Sequence, residues 1–99
     1  MKILVLAQRH ADVSVDQMRP HFKEEVEAVW KLYTQGIVRE FYTRADHGGP
    51  AVLSVECETL EAAQKILSEL PLVELKMLDL DLIPLAPFSN LDQLFQSAS

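Results

Sequence analysis

The stretch Ile37-Val38-Arg39-Glu40-Phe41-Tyr42-Thr43-Arg44-Ala45-Asp46 decides how this chain is read. Its β-branched and aromatic residues predict a strand. Yet it carries Arg39, Glu40, Tyr42 and Arg44, whereas the other strand-like runs are filled with Leu, Val and Ile. Alternation along a strand groups Arg39 with Ile37 and Phe41, and puts Glu40 with Tyr42 and Arg44 on the opposite face. Only one set can look into a cavity, and the pattern leaves both open. A plainer reading also stands, in which an edge strand uses its charges to block edge-to-edge aggregation.

Working outward, Asp46-His47-Gly48-Gly49-Pro50 is a dense turn signal, and Ala51 to Cys57 reads as the second strand of a hairpin. Upstream, Phe22, Val26, Val29, Trp30 and Tyr33 recur at i, i+4, i+7, i+8 and i+11. That spacing predicts a helix whose apolar stripe, Trp30 and Tyr33 included, faces the core, with Gly36 as its C-terminal cap. Ser14-x-x-Gln17 has capping-box spacing, and Pro20 suits a first turn. Ile3 to Ala7 is a continuous apolar run, the pattern of a central strand covered on both faces.

Downstream, Thr59 caps a second helix with Leu60, Ala63, Ile66, Leu67 and Leu70 on its apolar side, and Pro71 stops it. Glu74 to Ile83 alternates as a strand with one wet face, ended by Pro84 and Pro87. Ser89 begins a short last helix holding Leu91, Leu94 and Phe95. The order predicts an α+β, ferredoxin-like βαββαβ sandwich, one domain over residues 1–99, with a short tail. Two helices cover one face of the sheet. The other face is also apolar and calls for a second copy, in a homodimer or a larger ring of dimers, with the tail crossing onto a neighbour.

Composition narrows the partners. Nearly half of the 99 residues, 48%, are apolar, which is ample for one core. The net charge of −6, with no run of bases, argues against nucleic acid and against an anionic membrane surface. The apolar run near Met1 is too short for a signal peptide or a membrane span. A single cysteine, Cys57, without a Cys-x-x-Cys partner fits a reducing compartment, so a cytoplasmic protein is expected.

These residues also carry a resemblance. Gly36-Ile37-Val38-Arg39, Arg44, Leu70-Pro71-Leu72 and a strand ending in Pro resemble the muconolactone isomerase-like pattern. Met1 to Gln8, Arg19-Pro20, Glu58 to Gln64 and Leu70 to Val73 are similar to YciI-like proteins. Both belong to the dimeric α+β barrel group. The resemblance implies a proton shift on a small anionic lactone without metal or organic cofactor. It places Arg39 and Arg44 at basic positions of the second strand, Glu25 and Glu27 at acidic positions of the first helix, and His21 near a histidine of the YciI-like proteins.

In this topology strands one and two end at the edge where the first helix begins. Arg9, His10, Arg44, Asp46 and His47 therefore gather at one rim, with His21 close by. Arginine suits a carboxylate, and histidine suits proton transfer near neutral pH. The expected catalytic groups are His10, His21 and Glu40, and the expected substrate-binding groups are Arg39, Tyr42, Arg44 and His47. The plain alternative is a set of solvated residues at element ends. No spacing such as His-x-x-x-His points to a metal site. Ser14 and Ser54 have no triad order around them. Cys57, between Glu56 and Glu58, is expected to be structural and unreactive.

The reading that follows is a cofactor-independent isomerase or lyase acting on a small carboxylated lactone or related cyclic acid. Two other classes stay open: a non-catalytic dimer that binds a metabolite or protein, and a cofactorless monooxygenase.

Overall fold

The computed structural model describes residues 1–46 and 48–96. Four strands, β1 (Lys2–Arg9), β2 (Val38–Thr43), β3 (Ala51–Glu56) and β4 (Leu78–Leu85), form one antiparallel sheet in the order β2-β3-β1-β4. The helices are α1 (Val15–Met18), α2 (Phe22–Thr34), α3 (Leu60–Leu67) and α4 (Pro71–Glu74). This is the α+β, ferredoxin-like arrangement that the element order predicts, with the β2–β3 hairpin in place. None of the helices among the described residues is long and apolar enough to cross a membrane.

Register assigns the faces. Ile3 pairs with Val55 and Val5 with Leu53, so these residues share one side of the sheet. There they pack with Ala63, Leu67 and Leu70 into the core. Leu4 pairs with Ser54 and Ile83, and Leu6 with Val52 and Asp81, which puts these on the opposite, open face. β1 is thus apolar on both sides, as its unbroken run requires.

The deciding strand departs from simple alternation. Val38 pairs with Val55, but Glu40 pairs with Ser54, so the register shifts between them and Arg39 is the extra residue of a bulge. An extra residue moves every earlier side chain to the other face. Val38 is therefore buried in the core, on the same side as Phe41. Arg39 does not alternate with Phe41; its Nε donates to the Gly36 carbonyl at 2.6 Å. Glu40 and Tyr42 lie on the open face.

The helix ends follow their caps. Ser14 and Gln17 form a full capping box at α1, and Pro20 sits in a 3₁₀ turn, Arg19–His21, that leads into α2. Gly36, at φ 78°, closes α2 in a Schellman motif, with Ile37 N–H bonded to the Leu32 carbonyl.

Several expectations need correction. The packed side of α2 is Ala28, Val29 and Leu32, whereas Trp30 is 56% and Tyr33 41% exposed. The stripe read from sequence shares only Val29 with the packed face. Pro71 does not stop α3, which ends at Leu67; it opens α4 at N1, where a missing N–H costs nothing. β4 starts at Leu78, not Glu74, and runs through Pro84, which an edge strand tolerates. The last segment, Ser89–Phe95, is a 3₁₀ helix without a side-chain cap.

Candidate functional site

The ends of β1 and β2 and the starts of β3 and β4 meet at one rim of the sheet, beside the start of α2. Between this rim and α2 lies a cleft of about 1240 Å³. Ala7, Leu53, Leu70, Leu72 and Leu80 contribute apolar side chains to its wall, and Phe22, Val26, Trp30 and Phe41 stand along its helix and strand sides. Trp30 stacks on Tyr33 at 5.2 Å, and Tyr33 meets Phe41 edge-on at 5.3 Å, so these rings form one aromatic cluster, of which Trp30 and Phe41 border the cleft.

Three carboxylates border this cleft; Asp79 and Asp81 belong to the open-face positions of β4, and Glu25 stands on the helix side. Glu25 lies on the side of α2 that turns toward α4, and its Oε1 accepts a 2.9 Å hydrogen bond from the Leu72 N–H. Desolvation raises its pKa above the usual carboxylate value, and the Leu72 N–H offsets part of that rise. Among the described residues Oε2 has no hydrogen-bond partner. A carboxyl group with one oxygen anchored and the other open, in an apolar cleft, is arranged to exchange a proton.

Two arginines border the same cleft. Arg44 is held as a fork on Asp46, with Nε to Oδ1 at 3.0 Å and Nη2 to Oδ2 at 2.9 Å. That fork keeps it firmly cationic but largely neutralised, and leaves its Nη1 edge. Arg9 bonds through Nη1 to the Val13 carbonyl and, among the described residues, has no carboxylate partner. Arg9 is therefore the stronger anion site of the pair.

The residues expected from sequence separate. Arg44 borders the cleft, and Tyr42 stands at its margin with its register on the open face beside Glu40. Tyr42 donates its hydroxyl to Glu40 Oε2 at 2.9 Å, which raises the phenol's pKa. Glu40 also lies 4.0 Å from Lys2 Nζ, and it faces the open side of the sheet rather than the cleft. Arg39, at the bulge, does not line the cleft. His10 borders a different groove, of about 370 Å³, with Lys76 and Leu78, and its Nδ1 accepts the Asp12 N–H at 3.3 Å. His21 ends the 3₁₀ turn before α2 and lines neither cavity. His47 lies outside the described residues. Cys57 has its pKa raised first by burial and then by Glu56, against the nearby N-terminal ammonium; Glu58 takes no part.

Arg9 was expected at this rim and Glu25 was marked through the resemblance, but neither was among the expected catalytic or substrate-binding groups. A signal for Glu25 was present: it stands three residues after Phe22 and four before Val29, a charge on the packed side of a helix. The stripe centred on Val26 and Trp30 hid it.

No family model matches the sequence, and no curated protein matches it in sequence. Among solved structures the chain is similar to the 5-chloro-2-hydroxyhydroquinone dehydrochlorinase of Burkholderia phenoliruptrix AC1100, in its complex with 2,5-dihydroxybenzoquinone. The TM-score is 0.72 over 87% of this chain and 94% of that one, at 9% identity. What the two chains share is the fold.

Proposed function

We propose that this chain is a cofactor-independent enzyme that moves a proton on a small anionic cyclic acid bound in the cleft. Glu25 carries the reading: it is a half-buried carboxylate with raised proton affinity, set among apolar side chains in a cleft that Arg9 also borders. Arg9, helped by the free edge of Arg44, holds the carboxylate of the ligand. The aromatic cluster supports its ring and keeps water away. Glu25 takes a proton from the carbon between a carbonyl and a carbon–carbon double bond, leaving a dienolate, and returns it to the far carbon of that system, so that the double bond moves into conjugation. The net result is an isomerisation, or a lyase reaction where the dienolate instead expels a leaving anion. The solved neighbour supports the reading to this extent: another chain of this fold, a dehydrochlorinase, was captured with a hydroxylated ring compound.

The test is solvent deuterium exchange in a panel of small carboxylated lactones and hydroxylated quinones, followed by NMR. The wild-type chain should label the carbon next to the carbonyl. The Glu25→Gln variant should do so about 10²–10⁴ times more slowly. Binding without exchange by the wild type would make the chain a binding module and end the catalytic reading.

A further inference from the structure

Among the described residues, two helical segments present apolar side chains that stand largely exposed. One is the outer stripe of α2, where Phe22, Val26, Trp30 and Tyr33 are 37%, 65%, 56% and 41% exposed. The other is the C-terminal segment, where Phe88, Leu91, Leu94 and Phe95 are 66%, 54%, 76% and 86% exposed. In a 3₁₀ helix residues three apart eclipse one another, so Phe88, Leu91 and Leu94 stand in one row. Asn90 and Gln93 lie off it, and Phe95 ends the neighbouring row of Ser89 and Asp92.

Among the described residues, the backbone hydrogen bonds of this segment stay within it. Runs of 3₁₀ helix longer than three or four residues are uncommon, and short isolated helices are marginal in water. Ser89–Phe95 is longer than that and buries none of its residues. The molecule measures 62 × 29 × 20 Å, with a radius of gyration of 16.5 Å, against about 13 Å for a compact chain of this length. The direction of exit excludes its own cleft. β4 runs from Leu78, opposite Arg9 at the rim, to Leu85, opposite Lys2 at the far edge, so the segment leaves from the end of the sheet away from the cleft.

We propose that the segment Phe88–Phe95 of one copy docks along the exposed α2 stripe of a second copy and roofs its cleft. The lengths agree: Phe22 to Tyr33 spans about 16 Å of α-helix, and Phe88 to Phe95 about 14 Å of 3₁₀ helix. The pattern is that of an amphipathic helix laid on an apolar helix face. Both halves of the contact belong to the same sequence, so two copies can satisfy each other reciprocally and close the assembly. Because Phe22, Val26 and Trp30 also line the cleft, each cleft is complete only with the other copy's tail. The inference concerns docking and stands apart from the chemistry of Glu25.

Trp30, the single tryptophan, reports the contact directly. One chain carries Trp30→Phe with an intact tail and is dark. The other keeps Trp30 but has Leu91→Ser, Leu94→Ser and Phe95→Ser, substitutions at positions that leave the core untouched. Alone, the second chain should emit as a solvated indole. Adding the dark chain at micromolar concentration should shift that emission to the blue, saturably. The wild-type chain should be blue-shifted by itself and should lose the shift on dilution, together with a fall in mass by ultracentrifugation. Absence of a shift on mixing overturns the proposal, as does wild-type emission matching the tail variant. An oligomer whose mass and Trp30 emission ignore the tail substitutions overturns it too.

Discussion

A carboxyl group that is harder to ionise in the fold than in the unfolded chain costs stability wherever both states are ionised. Glu25 is such a group, because burial raises its folded pKa. Above the folded pKa the native state bears the full penalty. As pH falls through that value toward the ordinary carboxylate range, the native chain binds the proton first and the penalty disappears. Glu25→Gln keeps an acceptor for the Leu72 N–H and removes the charge. The variant should therefore have a higher unfolding midpoint than wild type at neutral pH and no advantage in acid, while its exchange activity collapses. Denaturation at both pH values checks the sign; a variant less stable at neutral pH would show that the charge is not strained. Arg9→Ala should act differently, raising KM about 10–100-fold through loss of a charge-assisted bond, with kcat less affected. An equal fall in kcat with KM unchanged would place Arg9 outside ground-state binding. The sequence put Arg9 at the rim and the resemblance marked Glu25, but neither could be given its role, since burial of a single glutamate depends on where α4 packs, which no local pattern encodes.

Two elements end in the same motif with different residues, and they make a matched pair. α2 closes through Gly36 at φ 78°, and α4 closes through Lys76 at φ 61°, with Met77 N–H reaching the Leu72 carbonyl. Only glycine enters this left-handed region without a steric penalty; other residues pay about 1–2 kcal/mol. A Cβ added at Gly36 would meet nothing within 4 Å, so the cost of Gly36→Ala is that of the backbone alone, about 1 kcal/mol. Lys76→Gly should be neutral to stabilising by up to about 1 kcal/mol, since glycine's chain entropy offsets part of the relief. Urea denaturation should show a lowered midpoint for Gly36→Ala and no lowering for Lys76→Gly. The Gly36 cap was readable because glycine after a periodic run marks a helix end. The α4 cap was not, because lysine carries no such mark and Pro71 read as a stop. The bulge at Arg39 was hidden for a similar reason: a strand of alternating pattern gives no sign of where an extra residue enters, and the register is set by β3. What the pattern did carry was the order of elements, since apolar runs, caps and turns each act locally.

At the scale of the molecule the open face of the sheet remains to be covered. Its centre is Leu4, Leu6, Val52 and Ile83, and its margins carry Glu40, Glu56, Asp79 and Asp81 with Lys2. We propose that this face meets its equivalent in a second copy, as the doubly apolar β1 already suggested. Burying four such side chains from each copy is favourable by roughly 1.5–3 kcal/mol apiece before the costs of association. The acids oppose it, because pairing brings like charges together. Salt screens surface charge with a Debye length of about 10 Å at 0.1 M, so association should tighten as salt rises. Leu6→Asp should abolish this contact, since it sets a carboxylate in the middle of the apolar patch. The measurement is sedimentation equilibrium at low and high salt for wild type and Leu6→Asp. A wild-type assembly that weakens with salt would mean that ion pairs, not apolar burial, hold it together. A Leu6→Asp chain of unchanged mass would leave the tail contact as the one that joins the copies. The Trp30 signal separates the two interfaces, because Trp30 lies on α2, across the sheet from the face that carries Leu6.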